Sequence, residues 1–171
     1  MSEIPNIIET TNIKSVMLRK GVLSKKDFSR IDSIEGEYLC TLVIELMKIS
    51  TLRGKDTTIQ FGVKLEITNS DNNSYSSFLD IDEVPEFVSA IGMIEESTEH
   101  MRKENYHYSE MEYSTKDNIK VGLYKDDKKK IQYFLTINSE SYFMNSDVLK
   151  QISNALISAK EKSEILEKQD A

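Results

Sequence analysis

Apolar positions along the chain repeat with period two, then with period 3.6, and then do both again. The clearest stretch is Thr58 to Thr68. There Ile59, Phe61, Val63, Leu65 and Ile67 alternate with Gln60, Gly62, Lys64 and Glu66, which predicts a strand with one dry and one wet face. Glu37 to Ile49 is apolar on both alternations and also fits helical spacing through Leu39, Leu42, Val43, Leu46 and Met47. The turn residues Gly54-Lys55-Asp56 join it to the plain strand, so a hairpin is expected and the segment is read as a strand covered on both sides. Tyr75 to Ile81 is a short strand after the polar loop Asn69 to Ser74. Ile13 to Val22 alternates imperfectly and is read as the first strand. Leu23 to Glu35 is polar and punctuated, and is read as a connection with at most one helical turn.

After this the period changes. Val84, Phe87, Val88, Ile91 and Ile94 share one side of a helix that closes the unit near Met101 to Lys103. Asp82 is its expected cap. Pro85 falls in the first turn, where a missing N–H is tolerated, and Glu83 and Glu86 suit the positive end of the helix dipole. The second unit repeats the plan. Asn105 to Ser114, Asn118 to Lys125, Lys130 to Asn138 and Ser141 to Asn145 read as strands, with a turn at Asp126-Asp127-Lys128. Ser146 is the expected cap of a helix with Val148, Leu149, Ile152, Leu156 and Ala159 on its apolar side, fraying from Glu161. An offset of 64 sets Leu79, Asp82, Glu83, Val84 and Val88 against Phe143, Ser146, Asp147, Val148 and Ile152. Internal duplication is compatible with this match, which any strand leading into a capped helix would also give.

The expected fold is α+β: two antiparallel sheet units, each of four strands and each closed by an amphipathic helix. Residues 1–12 are expected to form a flexible tail, and 13–171 a single domain made of units 13–103 and 104–171. One unit alone buries too little, so the helices are expected to pack across units or across protomers.

Composition narrows the class. Hydrophobic residues are 39% and charged residues 30%, but the apolar ones are periodic, so disorder is not expected. The net charge of −7 argues against strong non-specific binding to nucleic acid or to a membrane surface. Lys14 to Arg30 holds six basic residues against Asp27, whereas Asp80 to Glu99 holds seven acidic residues and no basic one. Such blocks can attract each other in a dimer or meet a partner of opposite sign; the plain reading is two solvated faces. Cys40 is the only cysteine, so no disulfide forms within the chain and a reducing compartment is expected. Met1 to Thr11 lacks the pattern of a secretory signal, and no stretch approaches the roughly 20 apolar residues that cross a bilayer. A cytoplasmic protein without membrane partners follows as the expectation, with the Asn72-Asn73-Ser74 sequon unmodified.

Candidate chemistry is sparse. His100 and His107 do not share a ligand face, and one cysteine cannot complete a usual zinc set with them. Cys40 sits among apolar neighbours, which fits an inert core thiol better than a nucleophile paired with His107. Asp71-Asn72-Asn73 opens like a calcium loop but lacks its glycine and late acidic ligand. Asp80, Asp82, Glu83 and Glu86 are explained by helix-cap and dipole roles. No glycine-rich phosphate loop occurs. No cofactor, metal or catalytic set is therefore expected. The leading reading is a non-catalytic interaction module whose partner is a protein, foremost a second copy forming a homodimer.

One constellation supports an alternative. Tyr106, Tyr108, Tyr113, Tyr124, Tyr133, Phe134, Tyr142 and Phe143 are interleaved with Lys116, Lys120, Lys125, Lys128, Lys129 and Lys130. Rings that stack bases beside lysines that neutralise phosphates describe a single-stranded nucleic-acid site, with Tyr106, Tyr108, Tyr124, Lys120, Lys125, Lys128, Lys129 and Lys130 as its candidates. Tyr106 and Tyr108 share one strand face while His107, Met111 and Tyr113 share the other, so the rings cannot all form one platform. Asp117, Asp126 and Asp127 also dilute the lysines.

Four strands then a helix, twice over, is similar to the plan of the Whirly single-strand-binding proteins and of Pur-type repeats. The resemblance spans Ile13 to Leu166 and is one of layout. The Whirly lysine-glycine-lysine signature is absent, the nearest segment being Ile119-Lys120-Val121-Gly122-Leu123. The resemblance implies single-strand binding as a class of function and carries over no residue.

Overall fold

The computed structural model describes residues 11–170. Strands β1 (Leu23–Glu35), β2 (Thr41–Arg53), β3 (Asp56–Thr68) and β4 (Ser74–Asp80) form one antiparallel sheet in sequence order. Strands β5 (Ser109–Ser114), β6 (Lys120–Lys125), β7 (Ile131–Ile137) and β8 (Glu140–Met144) form the second. Helix α1 (Asn12–Met17) precedes the first sheet. Helix α2 (Val84–Lys103) follows it through a 3-10 turn at Ile81–Glu83, and α3 (Ser146–Gln169) follows the second. The α+β layout of two sheet-and-helix units is thus present.

The N-terminal expectations are reversed. Ile13 to Val22, expected as a strand, begins in α1, where the Thr11 hydroxyl accepts from the Lys14 N–H at 3.2 Å. Leu23 to Glu35, expected as a connection, is a strand of 13 residues. It is an edge strand exposed along most of its length, and only Ile31 and Ile34 near its end pack on the core, so little apolar pattern is left in the sequence. A bulge between Arg30 and Asp32 also shifts the phase of its alternation. Of the expected tail, residues 1–10 lie outside the described residues, while Thr11 is buried. Asp80 rather than Asp82 caps the 3-10 turn that leads into α2, Asn145 rather than Ser146 caps α3, and α3 continues past Glu161 to Gln169 with Ser163 buried.

Each helix packs on the other unit's sheet. Helix α2 lies on β5 and β6, while α3 lies across β1, β2 and β3. The two units therefore share a core. Leu42, Ile44, Leu65 and Ile67 of the first sheet join Val121, Leu123, Leu135 and Tyr142 of the second through residues such as Phe87 and Leu156. The buried faces of the helices match at an offset of 65. Val84, Phe87, Ile91, Ile94 and Thr98 take the places of Leu149, Ile152, Leu156, Ala159 and Ser163. The sequence match at 64 is thus one residue out of phase. It sets Leu79, which faces the core, against Phe143, which faces outward, and a one-residue slip turns a strand over.

Buried carboxylates tie the connections together. Asp80 accepts from the N–H groups of Asn12 and Ile13, both at 2.8 Å. Glu83 accepts from the Asp80 N–H at 2.9 Å and the Lys116 N–H at 3.1 Å, and burial pushes its carboxyl above the ordinary value. Asp117 accepts from the Ser77 hydroxyl, the Phe78 N–H and the Lys14 ammonium. Asp80→Ala leaves two amide donors at the start of α1 without their acceptor, so a loss of about 2–3 kcal/mol is expected in urea denaturation. Asp80→Asn keeps one acceptor oxygen and should lose about half as much.

Candidate interaction surface

The pairing register of the second sheet decides which residues look outward. The row Tyr113, Val121, Leu135, Tyr142 faces the core. The next row, Glu112, Gly122, Phe134, Phe143, therefore faces away from it, as do Glu110, Tyr124 and Gln132. Gly122 is the gap that admits the Phe134 ring. A Cβ there would stand 2.9 Å from the ring and 2.2 Å from the Met111 carbonyl oxygen.

Five rings cross this outer face in a row. Tyr108, just ahead of β5, stacks on Tyr124 with centroids 6.3 Å apart and planes at 24°. Tyr124 meets Phe134 at 6.2 Å, and Phe134 pairs across the strands with Phe143. Tyr38, in the tip between β1 and β2, meets Phe143 edge-on at 6.0 Å. The tip is held against β8 by the Glu37 N–H, which donates to the Phe143 carbonyl at 2.9 Å. Tyr38 and Leu39 have φ values of 57° and 58° and are 73% and 85% exposed. Left-handed backbone costs a side-chain-bearing residue about 1 kcal/mol or more. The tip is therefore strained, and it holds two large apolar side chains in water.

The candidates named from sequence separate. Tyr108 and Tyr124 lie in the row. Tyr106 is 65% exposed in the segment leading to β5 and stands outside the ring contacts just described. Lys120 lies toward the far end of β6, its ammonium 3.7 Å from the Glu112 carboxylate. Lys128, Lys129 and Lys130 are exposed in the turn after β6, where Asp126 accepts from the N–H groups of Lys128 and Lys130. Lys125 requires correction as a phosphate ligand. It is fully buried, and its ammonium donates to the Met101 and Glu104 carbonyls at 2.7 and 2.6 Å. It closes the C-terminal end of α2, where a cation suits the dipole. Its place on the same strand face as Val121 and Leu123 was the available signal.

Phe134 and Phe143 belong to the aromatic crowd but lie outside the sequence candidates, and the apolar pattern of Glu37 to Ile49 places Tyr38 and Leu39 in a core strand. Only the register and the tip geometry bring them to the surface. Charge near the row is balanced: Lys120, Lys128, Lys129 and Lys130 face Glu110, Glu112, Asp126 and Asp127.

Two other sequence candidates have structural surroundings. Cys40 is buried, and burial raises its thiol pKa, with Glu140 adding to the effect, so the reactive thiolate is disfavoured. Asp71-Asn72-Asn73 is a turn in which the Asn69 side chain accepts from the Asp71 and Asn73 N–H groups. Among the described residues no group of three or more His, Cys, Asp or Glu is disposed to hold a metal, and no helix is long and apolar enough to cross a membrane. A polar depression of about 360 Å³ lined by Asp82, Glu86, Tyr113 and Lys116 is open to solvent. No family model matches the chain, and no curated protein matches it in sequence.

Proposed function

We propose that the protein is a non-catalytic binding module that takes a partner protein on the outer face of its second sheet. The observation that carries this is the row of five rings ending in the strained Tyr38-Leu39 tip. An aromatic centre with a rim of both charge signs is the anatomy of a protein interface, where a few buried rings supply most of the affinity. The balanced rim lets a second copy approach this face despite the net charge, so a homodimer is the assembly the reading commits to. A single buried thiol suits a reducing compartment, and the cytoplasm is the location that fits.

The test exploits the strain. Asn tolerates left-handed backbone, so Tyr38→Asn/Leu39→Asn should leave thermal stability unchanged or slightly higher. The same change should weaken self-association by about tenfold or more in sedimentation equilibrium, because two apolar anchors are lost. A wild-type chain that stays monomeric throughout would remove the second copy as partner.

A second reading, single-stranded nucleic-acid binding, draws on one observation. Tyr124 lies on the strand that runs into the exposed Lys128–Lys130 turn, and Tyr108, just ahead of β5, stacks on it on the sheet face away from the helices. Fluorescence anisotropy with labelled mixed-sequence single-stranded DNA decides it. Binding that weakens linearly in log salt and is lost in Tyr124→Ala supports it, and no binding at low salt removes it.

A further inference from the structure

The four outer strands of the two sheets are treated differently. The edge of β4 is closed by loops of the second unit: the Phe78 N–H donates to Asp117, and the Ser76 carbonyl accepts from Asn138. The edge of β8 is met by the Glu37 N–H. Strand β5 is short and carries Glu110 and Glu112. Strand β1 is long, and from Leu23 to Arg30 no backbone group among the described residues pairs with its outer side. Its last part is engaged, since the Tyr142 hydroxyl donates to the Ile34 carbonyl and Gln151 donates to Asp32.

The open part is basic. Lys25, Lys26 and Arg30 stand on it against Asp27 alone, and Arg19 and Lys20 lie just before it. Phe28 is 46% exposed, with the Lys64 ammonium 5.5 Å from its ring centre. Lysines on an edge discourage a second identical edge. In an antiparallel pair of β1 strands centred on Phe28, Lys26 would oppose Arg30 of the other copy, and directly opposed like charges destabilise. The same lysines favour a strand of opposite sign. A row of unpaired N–H and C=O groups is matched in full only by another extended backbone.

We propose that the Leu23–Arg30 edge of β1 binds an acidic, extended segment of a partner protein as a fifth strand of the first sheet. This surface is separate from the aromatic row, so either assignment can fail without the other.

The probe is a labelled peptide of about twelve residues with Glu at alternate positions and Val or Thr between them. A second peptide has the same sequence with alternate backbone nitrogens methylated. Anisotropy should show saturable binding of the first peptide. Binding should weaken by about tenfold or more for the methylated peptide, and similarly for the first peptide with Lys26→Glu/Arg30→Glu. Hydrogen exchange of the Leu23–Arg30 amides should slow on binding. Both substituted side chains are exposed, and an unchanged thermal melt would show that the variant folds. Equal binding of the methylated peptide would overturn the proposal by reducing the contact to charge alone. Binding unaffected by the double substitution would place the site elsewhere, and no binding at millimolar peptide would exclude it.

Discussion

Lys125→Ala is expected to destabilise the protein by about 4 kcal/mol, with an unchanged slope in urea denaturation. The side chain is fully enclosed, so truncation leaves a cavity where the stem lay. It also removes the donor from the Met101 and Glu104 carbonyls at the end of α2. Lys125→Met separates the two effects. It keeps the volume, loses the donor and relieves the burial of a cation, so a cost of about 1–2 kcal/mol is expected. If the two variants lose the same amount, packing contributes little. If the methionine variant matches wild type, the carbonyl ties only offset the cost of burying the charge. The consequence extends to the surface, because Glu104 begins the segment that delivers Tyr108 to its stack on Tyr124. Lys125→Met should therefore also weaken any binding that depends on that stack.

Gly122→Ala is expected to cost about 3 kcal/mol, the upper end of what one inserted methyl does to a packed site. The added carbon would lie 2.2 Å from the Met111 carbonyl oxygen, so β5 has to move away from β6. The neighbouring contact, 2.9 Å to the Phe134 ring, would push the middle of the aromatic row outward. A glycine in α2 makes the control. A Cβ on Gly92 meets nothing within 4 Å, and alanine is the better helix former. Gly92→Ala should stabilise by about 0.5–1 kcal/mol. Thermal or urea midpoints moving in opposite directions for the two substitutions would confirm that β6 needs its glycine for space. A neutral Gly122→Ala would show that the sheet relaxes around it.

Elements whose two faces have different neighbours are legible in the chain's apolar pattern. The alternation of Ile59 to Ile67 marked β3, although Gly62 on its polar face lies buried under Ile13 of α1 and Ile59 is exposed. The spacing of Val84, Phe87, Ile91 and Ile94 marked α2, because one side of that helix meets the core and the other meets water. The α+β class and the two-unit layout followed from those periods. Strand β1 was not legible because it is exposed along most of its length and turns only Ile31 and Ile34 to the core, and its bulge breaks what pattern remains. Size led to helices packing across units or across protomers, and it took the folded chain to show that each helix covers the other unit's sheet. Periodicity says that a face is buried and is silent on what buries it. Register likewise decided that Phe134 and Phe143 look outward beside Tyr124, since an aromatic residue suits either face of a strand. The Tyr38-Leu39 tip could not be read from sequence because its apolar residues imitate a core strand. Only the left-handed backbone of the folded chain turns them into water.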